Sequence, residues 1–370
     1  MKILYVTTIG ITMGFFKSFI KDLTDMGHTV ELACNDMEEP VPAFYHNLGC
    51  KIHRLSCSRT PFSKGNLTAV KQIRRLVEEN HYDIVHCHTP VAATCTRLAC
   101  RKLRKKQGVK VFYTAHGFHF YKGAPLKNWM IYYPVEKLCA RYTDKLITIN
   151  QEDYELAKRK MKAKEVLYVP GVGVDLTRFQ NVSVDKMAKR LELGISSEAI
   201  ILLSVGELNE NKNHQVIIRA MAQLMRGDLH YLIAGIGPKA DELKRLTKEL
   251  GLTGRVHLLG YRADVVELYQ VADIFAFPSY REGLSVSVME AMASGLPCAV
   301  SRIRGNTDLI SSNGGAYFDP YQVEECASAL KTVLESDTAA MGSYNQRKVR
   351  YFSQGNIRDM MNNIYGIQFR

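Results

Sequence analysis

Glu282 and Glu290 stand eight residues apart in the string PSYREGLSVSVMEAMASGLP, Pro278 to Pro297, and that spacing limits what two carboxylates can do together. On a helix rising about 1.5 Å per residue they would be roughly 12 Å apart. The acid pairs of glycoside hydrolases sit about 5 to 9.5 Å apart, so two separate contacts on an elongated ligand are the better reading. The same string ends an apolar strand at Phe277, turns through Glu282 and Gly283, and starts a helix that either Ser285 or Ser287 can cap. First-turn amides then form an anion site suited to a phosphate. A solvated turn glutamate and a polar-face glutamate are the plain alternative, which would prevail if the two acids stood alone.

Four histidines form the second constellation: His86 and His88 in DIVHCHTP, and His116 and His119 in YTAHGFHFYKGAP. An H-x-x-H pair without carboxylate or cysteine spacing is poor ground for zinc, and no metal site is expected. His86 and His88 also read as polar residues closing buried strands. In TTIGITMGFF, Gly10 and Gly14 either let a ligand approach the backbone or are ordinary turn glycines. Arg59 is equally a phosphate contact or a solvated loop residue. His119 to Pro134 gathers Phe120, Tyr121, Trp129, Tyr132 and Tyr133 beside Lys122 and Lys127, a mixture that suits a membrane interface. The run Arg101 to Lys106 supplies five cations, which fit a helix C-terminus on a solvated face as well as they fit an anionic partner.

Short β-branched runs alternate with helical patterns along all 370 residues. Strands are expected at Lys2–Thr8, Thr29–Cys34, Asp83–His86, Lys110–Thr114, Leu146–Ile149 and Val166–Val169, then at Ile200–Val205, Leu229–Ala234, Val256–Leu259, Ile274–Phe277 and Cys298–Ser301. Helical spacing between them, as in Leu67–Glu79, His214–Met225 and Val323–Leu334, implies parallel sheets covered on both faces. Pro170, Gly171 and Gly173 break both periodicities. The expected division is therefore 1–170 and 171–352, with residues 353–370 as a final helix packing back on the first domain. Ligands of doubly wound sheets bind outside the carboxyl ends of the strands, here in a cleft between the two domains.

Net charge is +12, and residues 1–170 hold 27 basic and 15 acidic residues, so the whole excess lies there. Such a half suits nucleic acid, an anionic membrane or a phosphorylated substrate. No nucleic-acid motif accompanies it, which makes nucleic acid the weakest of the three. Nine scattered cysteines without a C-x-x-C pair fit a reducing cytosol. No apolar run reaches the length of a membrane span or of a signal-peptide core.

The string Pro278–Pro297 resembles the E-x7-E region of retaining glycosyltransferase family 4, which has the GT-B fold, two Rossmann-like domains facing a central cleft. DIVHCHTP and YTAHGFHFYKGAP are similar to the branch that builds bacterial exopolysaccharide and capsule repeats. The resemblance implies that Glu282 contacts the donor sugar's hydroxyls and Glu290 holds the nucleotide ribose. It implies that the amides of Gly283, Leu284 and Ser285 face the diphosphate, and that His116 lines the reaction centre. The nucleobase then lies against LLGYRADV, near Tyr261 and Arg262. In VGELNENKNH, Gly206 and Asn209 belong to the donor loop and Lys212 matches the family's diphosphate lysine, but Glu207 stands where an arginine is usual. A carboxylate there weakens diphosphate binding unless another cation compensates. Arg304 is the expected one, with Arg302 and Arg281 behind it.

The resemblance further implies a retaining, front-face transfer of a hexose or N-acetylhexosamine, with no cofactor, no required metal and no covalent nucleophile. The donor is a nucleotide-diphosphate sugar, uridine by family habit. The acceptor is a polyprenyl-diphosphate-linked saccharide met at the inner face of the cell membrane by the basic domain, with Gly10, Gly14, Arg59, His119, Lys122 and Trp129 on that side. The competing readings are a GT-B relative with a soluble acceptor, a nucleotide-sugar epimerase, and a nucleic-acid-binding protein.

Overall fold

The structure, a computed structural model, describes residues 1–37, 39–179 and 182–367. The chain divides into two compact bodies, Met1–Val172 and Gly173–Arg370. In the first, β1 (Lys2–Ile9), β2 (Thr29–Asn35), β3 (Ile52–Arg54), β4 (Ile84–His88), β5 (Lys110–Ala115), β6 (Lys145–Thr148) and β7 (Glu165–Tyr168) form one sheet in the order β3-β2-β1-β4-β5-β6-β7. In the second, β8 (Ile200–Val205), β9 (Leu229–Ala234), β10 (Val256–Gly260), β11 (Ile274–Phe277), β12 (Cys298–Ser301) and β13 (Gly315–Phe318) follow the order β10-β9-β8-β11-β12-β13. Neighbouring strands in both sheets run parallel.

Parallel strands buried on both faces need no polar alternation, which is why β4 and β11 read as continuous buried runs. Each sheet has its own apolar core, one around Leu4, Val85, Val111 and Leu146, the other around Leu202, Ile217, Tyr231 and Leu330. All nine cysteines are buried thiols. The strand order reverses between β1 and β4 in one body and between β8 and β11 in the other. In doubly wound sheets such reversals open a crevice at the carboxyl edge, where ligands bind.

The final helix, Gln354–Tyr365, is tied to the second body at its start, where Val174 pairs with Ser353 and accepts from the Gln354 amide. No described helix is long and apolar enough to cross a membrane.

The first core holds a buried ion pair. Arg97, fully buried on the helix Pro90–Cys100, donates to Glu136 at 2.8 Å and lies 4.2 Å from the Tyr113 ring centroid, while the Tyr113 hydroxyl donates to the same carboxylate at 3.2 Å. Arg97→Ala leaves Glu136 charged and buried without its cation. A loss of about 3–5 kcal/mol is expected in denaturant unfolding, and Arg97→Met combined with Glu136→Leu should recover most of it.

Candidate active site

At the carboxyl edge of the second sheet, the loop after β8 and the turn after β11 are fastened to each other. The Asn211 side chain donates to the Arg281 carbonyl at 3.0 Å and the Tyr280 amide donates to the Asn211 carbonyl at 2.8 Å. Lys212 places its ammonium 2.9 Å from Glu282 Oε1 and 4.7 Å from the Phe277 ring centroid. The Asn209 side chain accepts from the Lys212 amide at 3.0 Å and sets the loop's last turn. Glu207 is exposed, and its carboxylate accepts from Asn209.

Two glycines outside the loop make its path possible. A Cβ on Gly235 would lie 1.8 Å from the Gly206 carbonyl oxygen, and one on Gly237 would lie 2.4 Å from that of Leu208. Neither glycine is among the residues expected at the site. The signal for them is the G-x-G directly after β9, a pattern in which bare backbone accepts another backbone.

Ser285 caps the helix Val286–Ala293, its hydroxyl accepting from the Val288 amide at 3.4 Å; Ser287, the other expected cap, lies inside the helix. The turn Gly283–Ser285 therefore leads straight into the first-turn amides of this helix, beside Glu282. Behind it, Gly305 adopts φ +78°, and a Cβ there would meet the Gly283 carbonyl at 2.3 Å. Arg304 is buried and donates to the backbone carbonyl of Glu282 at 3.2 Å, so a guanidinium sits directly under the turn. Arg302 instead lies over the Tyr317 ring, 4.9 Å from its centroid, and Arg281 is exposed.

Glu290 accepts from the Tyr269 hydroxyl at 3.0 Å. Burial raises its carboxyl above the ordinary range, against the opposing pull of that hydrogen bond and of Arg178. Tyr261 is exposed, whereas the Arg262 guanidinium is consumed by Asp264 and Glu192. Arg262 thus holds the loop in shape, and its charge is already matched.

In the first body, β4 and β5 bring three imidazoles to the carboxyl edge. His88 Nδ1 is 3.0 Å from His116 Nε2, His86 Nε2 is 2.8 Å from the Thr114 hydroxyl, and the His86 and His88 ring centroids are 4.2 Å apart. His88 is followed by Thr89 at φ +62°, an uncommon conformation for a β-branched residue, and the Thr89 hydroxyl accepts from the Thr8 amide at 3.0 Å. That bond pins the end of β1 to the end of β4.

His86 and His88 are 1% and 2% exposed, and burial lowers His86 to about 3 and His88 well below its ordinary value; burial also lowers His116 to about 4. These groups are neutral in the folded protein but take up protons near pH 6.5 once unfolded. Between pH 6.5 and the folded values the unfolded chain binds more protons, so stability falls as pH falls. A slope of about 1.4 kcal/mol per pH unit is expected for each such histidine. Denaturant unfolding at stepped pH should show a shallower slope for His86→Gln.

The residues expected on the acceptor side sit less freely than their types suggest. Arg59 is paired with Glu39 at 2.9 Å. Gly10 is needed by the chain itself, because a Cβ would meet Glu39, Pro40 and Val41 backbone at 2.5–2.6 Å, whereas Gly14 has only Pro42 at 3.9 Å. Phe120 is fully buried, Trp129 and Tyr133 pack on it, and the His119 ring lies against Tyr132 with centroids 4.6 Å apart. The aromatic residues of that segment are largely spent on packing, and Lys122 is exposed. Among the described residues no group of three or more His, Cys, Asp or Glu is placed to hold a metal ion.

Residues 185–349 match the family described as Glycosyl transferases group 1, and residues 2–150 match Glycosyl transferase 4-like. The chain is 38% identical over 314 residues to the putative glycosyltransferase EpsD of Bacillus subtilis strain 168, covering 84% of this chain and 81% of that protein. It is 29% identical over 297 residues to the UDP-Gal:alpha-D-GlcNAc-diphosphoundecaprenol alpha-1,3-galactosyltransferase of Escherichia coli, covering 76% of each. Among solved structures, Anabaena Alr3699/HepE in complex with UDP matches with a TM-score of 0.80 at 21% identity, covering 99% of this chain and 100% of that one.

Proposed function

The chain belongs to the group 1, family 4-like glycosyltransferases of the GT-B fold, and on that premise we propose that it moves a hexose or N-acetylhexosamine from a UDP-sugar, with retention, onto a lipid-linked saccharide during cell-surface polysaccharide synthesis. The observation that carries the donor half of this reading is the Lys212–Glu282 contact beneath the capped turn Gly283–Ser285. A cation, the start of a capped helix and a carboxylate stand together, a set that suits a diphosphate and a sugar.

In this reading Glu282 accepts hydrogen bonds from the sugar, Glu290 from the ribose hydroxyls, and Tyr261 lies by the base. Lys212, the amides of Gly283–Ser285 and the buried Arg304 take up the charge that grows on the leaving diphosphate. Arg304 stands in for the arginine that Glu207 replaces. The leaving oxygen accepts the acceptor's proton on the same face, so no protein nucleophile is required. His116 is held neutral in orientation by His88 and offers a hydrogen bond at the sugar without carrying charge. These residues need no divalent metal and no organic cofactor.

The acceptor half rests on the basic first body and on the galactosyltransferase relative, whose name specifies a diphosphoundecaprenol-linked acceptor. On the same ground we place the protein on the cytoplasmic face of the membrane. Incubating the protein with a panel of nucleotide sugars, with and without a polyprenyl-diphosphate-linked saccharide, tests both halves. Lipid-dependent consumption of one UDP-sugar with an α-linked product is expected. Efficient transfer to a soluble acceptor alone, or epimerisation of the donor, would overturn the reading.

A further inference from the structure

The helix Leu126–Ala140 contains Pro134, and its apolar residues are spread over all its sides, with Lys127, Asn128, Glu136 and Lys137 among them. Here one side packs inward through Trp129, Tyr133 and Cys139, while Leu126, Met130, Ile131, Val135 and Leu138 remain exposed. With the helices Lys64–Asn80 and Pro90–Cys100 it walls a groove of ≈ 510 Å³, lined by Leu67, Val70, Val91, Leu98, Met130 and Val135 among others. That volume is in the range of built ligand sites.

The groove has little to offer a polar ligand. Its lining includes Asn66, Thr94 and Glu136. The Asn66 side chain donates to the Thr60 and Pro61 carbonyls and accepts from the Ser58 amide, and the Thr94 hydroxyl donates to the Pro90 carbonyl. Glu136 is neutralised by Arg97. What the groove offers is apolar surface, which suits hydrocarbon.

Its surroundings specify the head of that hydrocarbon. Residues 58–75 include five basic residues and no acid; Arg59 and Arg75 are paired with Glu39 and Glu79, while Lys64 and Lys71, with Lys122 and Lys127 of the neighbouring segment, are exposed. The groove also begins at the carboxyl edge of the sheet, because Pro90 lines it two residues after His88, and Tyr132 lines it while its ring lies against His119. A chain lying in the groove therefore presents its anionic end toward the lysines and His116.

We propose that this groove seats the polyisoprenoid chain of the acceptor, so that the protein binds its lipid carrier by the tail as well as by the diphosphate. The inference rests on the acceptor reading above but is tested without catalysis. Trp129 is the sole tryptophan, and the two residues after it line the groove, so its emission reports occupancy.

The full chain is titrated with a polyisoprenyl monophosphate below its aggregation point. A saturable change in Trp129 emission is expected, about tenfold weaker for the corresponding polyisoprenol, which lacks the charge, and absent with inorganic phosphate. Thr94→Phe, which fills the groove from its side, should weaken binding about tenfold or more; thermal stabilisation by UDP, bound in the other body, should stay at the wild-type value and shows the variant is folded. An equal response to phosphatidylglycerol vesicles free of isoprenoid, or full binding by Thr94→Phe, overturns the proposal. If the isoprenoid binds as expected while no lipid-linked saccharide is ever glycosylated, the groove stands and the acceptor reading falls.

Discussion

Glu282→Ala should reduce turnover by about two orders of magnitude while leaving UDP binding undiminished. The basis is the 2.9 Å contact between Lys212 and Glu282, whose side chains are 20% and 17% exposed. In the proposed complex the carboxylate turns to the sugar's hydroxyls, and a hydrogen bond to a charged group contributes about 1.5–3 kcal/mol. Two such bonds that strengthen as the sugar gains positive character account for a loss of about a hundredfold or more in kcat. The UDP half of the donor gains rather than loses, because removing Glu282 frees Lys212 from its present partner. Calorimetric titration with UDP should give an affinity equal to or tighter than wild type, and steady-state transfer should collapse. Glu282→Gln keeps the hydrogen-bonding shape and loses the charge, so it should fall between the two. Unchanged specific activity in Glu282→Ala would falsify the assignment.

This split between a collapsed kcat and a preserved UDP affinity is the part of the site that the linear sequence does not show. Lys212 and Glu282 are 70 positions apart, and only the β8–β11 neighbourhood in the sheet puts them in contact. The individual residues are readable because each sits at the end of a strand that is plainly apolar. Ile200–Val205, Leu229–Ala234, Ile274–Phe277 and Cys298–Ser301 fall where the β-branched runs place them.

The strands that periodicity does not announce are of another kind. Ile52–Arg54 is three residues of mixed polarity at a sheet edge, and Gly315–Phe318 opens on a glycine whose Cβ would lie 1.9 Å from the Cys298 carbonyl. Both are specified by the neighbouring strand more than by their own side chains. The helix Leu126–Ala140 is hidden for the opposite reason. Apolar residues on all its faces erase the 3.6-residue period, and its proline argues against a helix locally. A segment that reads as loosely aromatic and lysine-rich is a packed helix whose outward residues are Leu126, Met130 and Ile131. Arg262 shows the remaining limit: the resemblance places it near the nucleobase, and only the structure reveals Asp264 and Glu192 already around it.

Lys212→Ala is expected to be the second severe variant, with the opposite signature to Glu282→Ala. Here the diphosphate loses its direct cation, so both UDP affinity and turnover fall. Removing one preorganised donor at a developing oxyanion costs about 2.7–4 kcal/mol, which is about 10² to 10³ in kcat/KM. Lys212→Arg should restore little, because the ammonium is confined between the Phe277 ring and Glu282 and a planar guanidinium needs a different approach. Arg304→Ala should act more weakly and mainly on the donor's KM, since its guanidinium donates to the Glu282 carbonyl and, on the proposed reading, meets the diphosphate only from below the turn. If both cations serve one diphosphate, the double variant should lose less than the sum of the two single losses in kcal/mol. Strict additivity would place Arg304 outside the donor site and leave Glu207 without a compensating cation, and wild-type kinetics in Lys212→Ala would remove the diphosphate from this end of the sheet altogether.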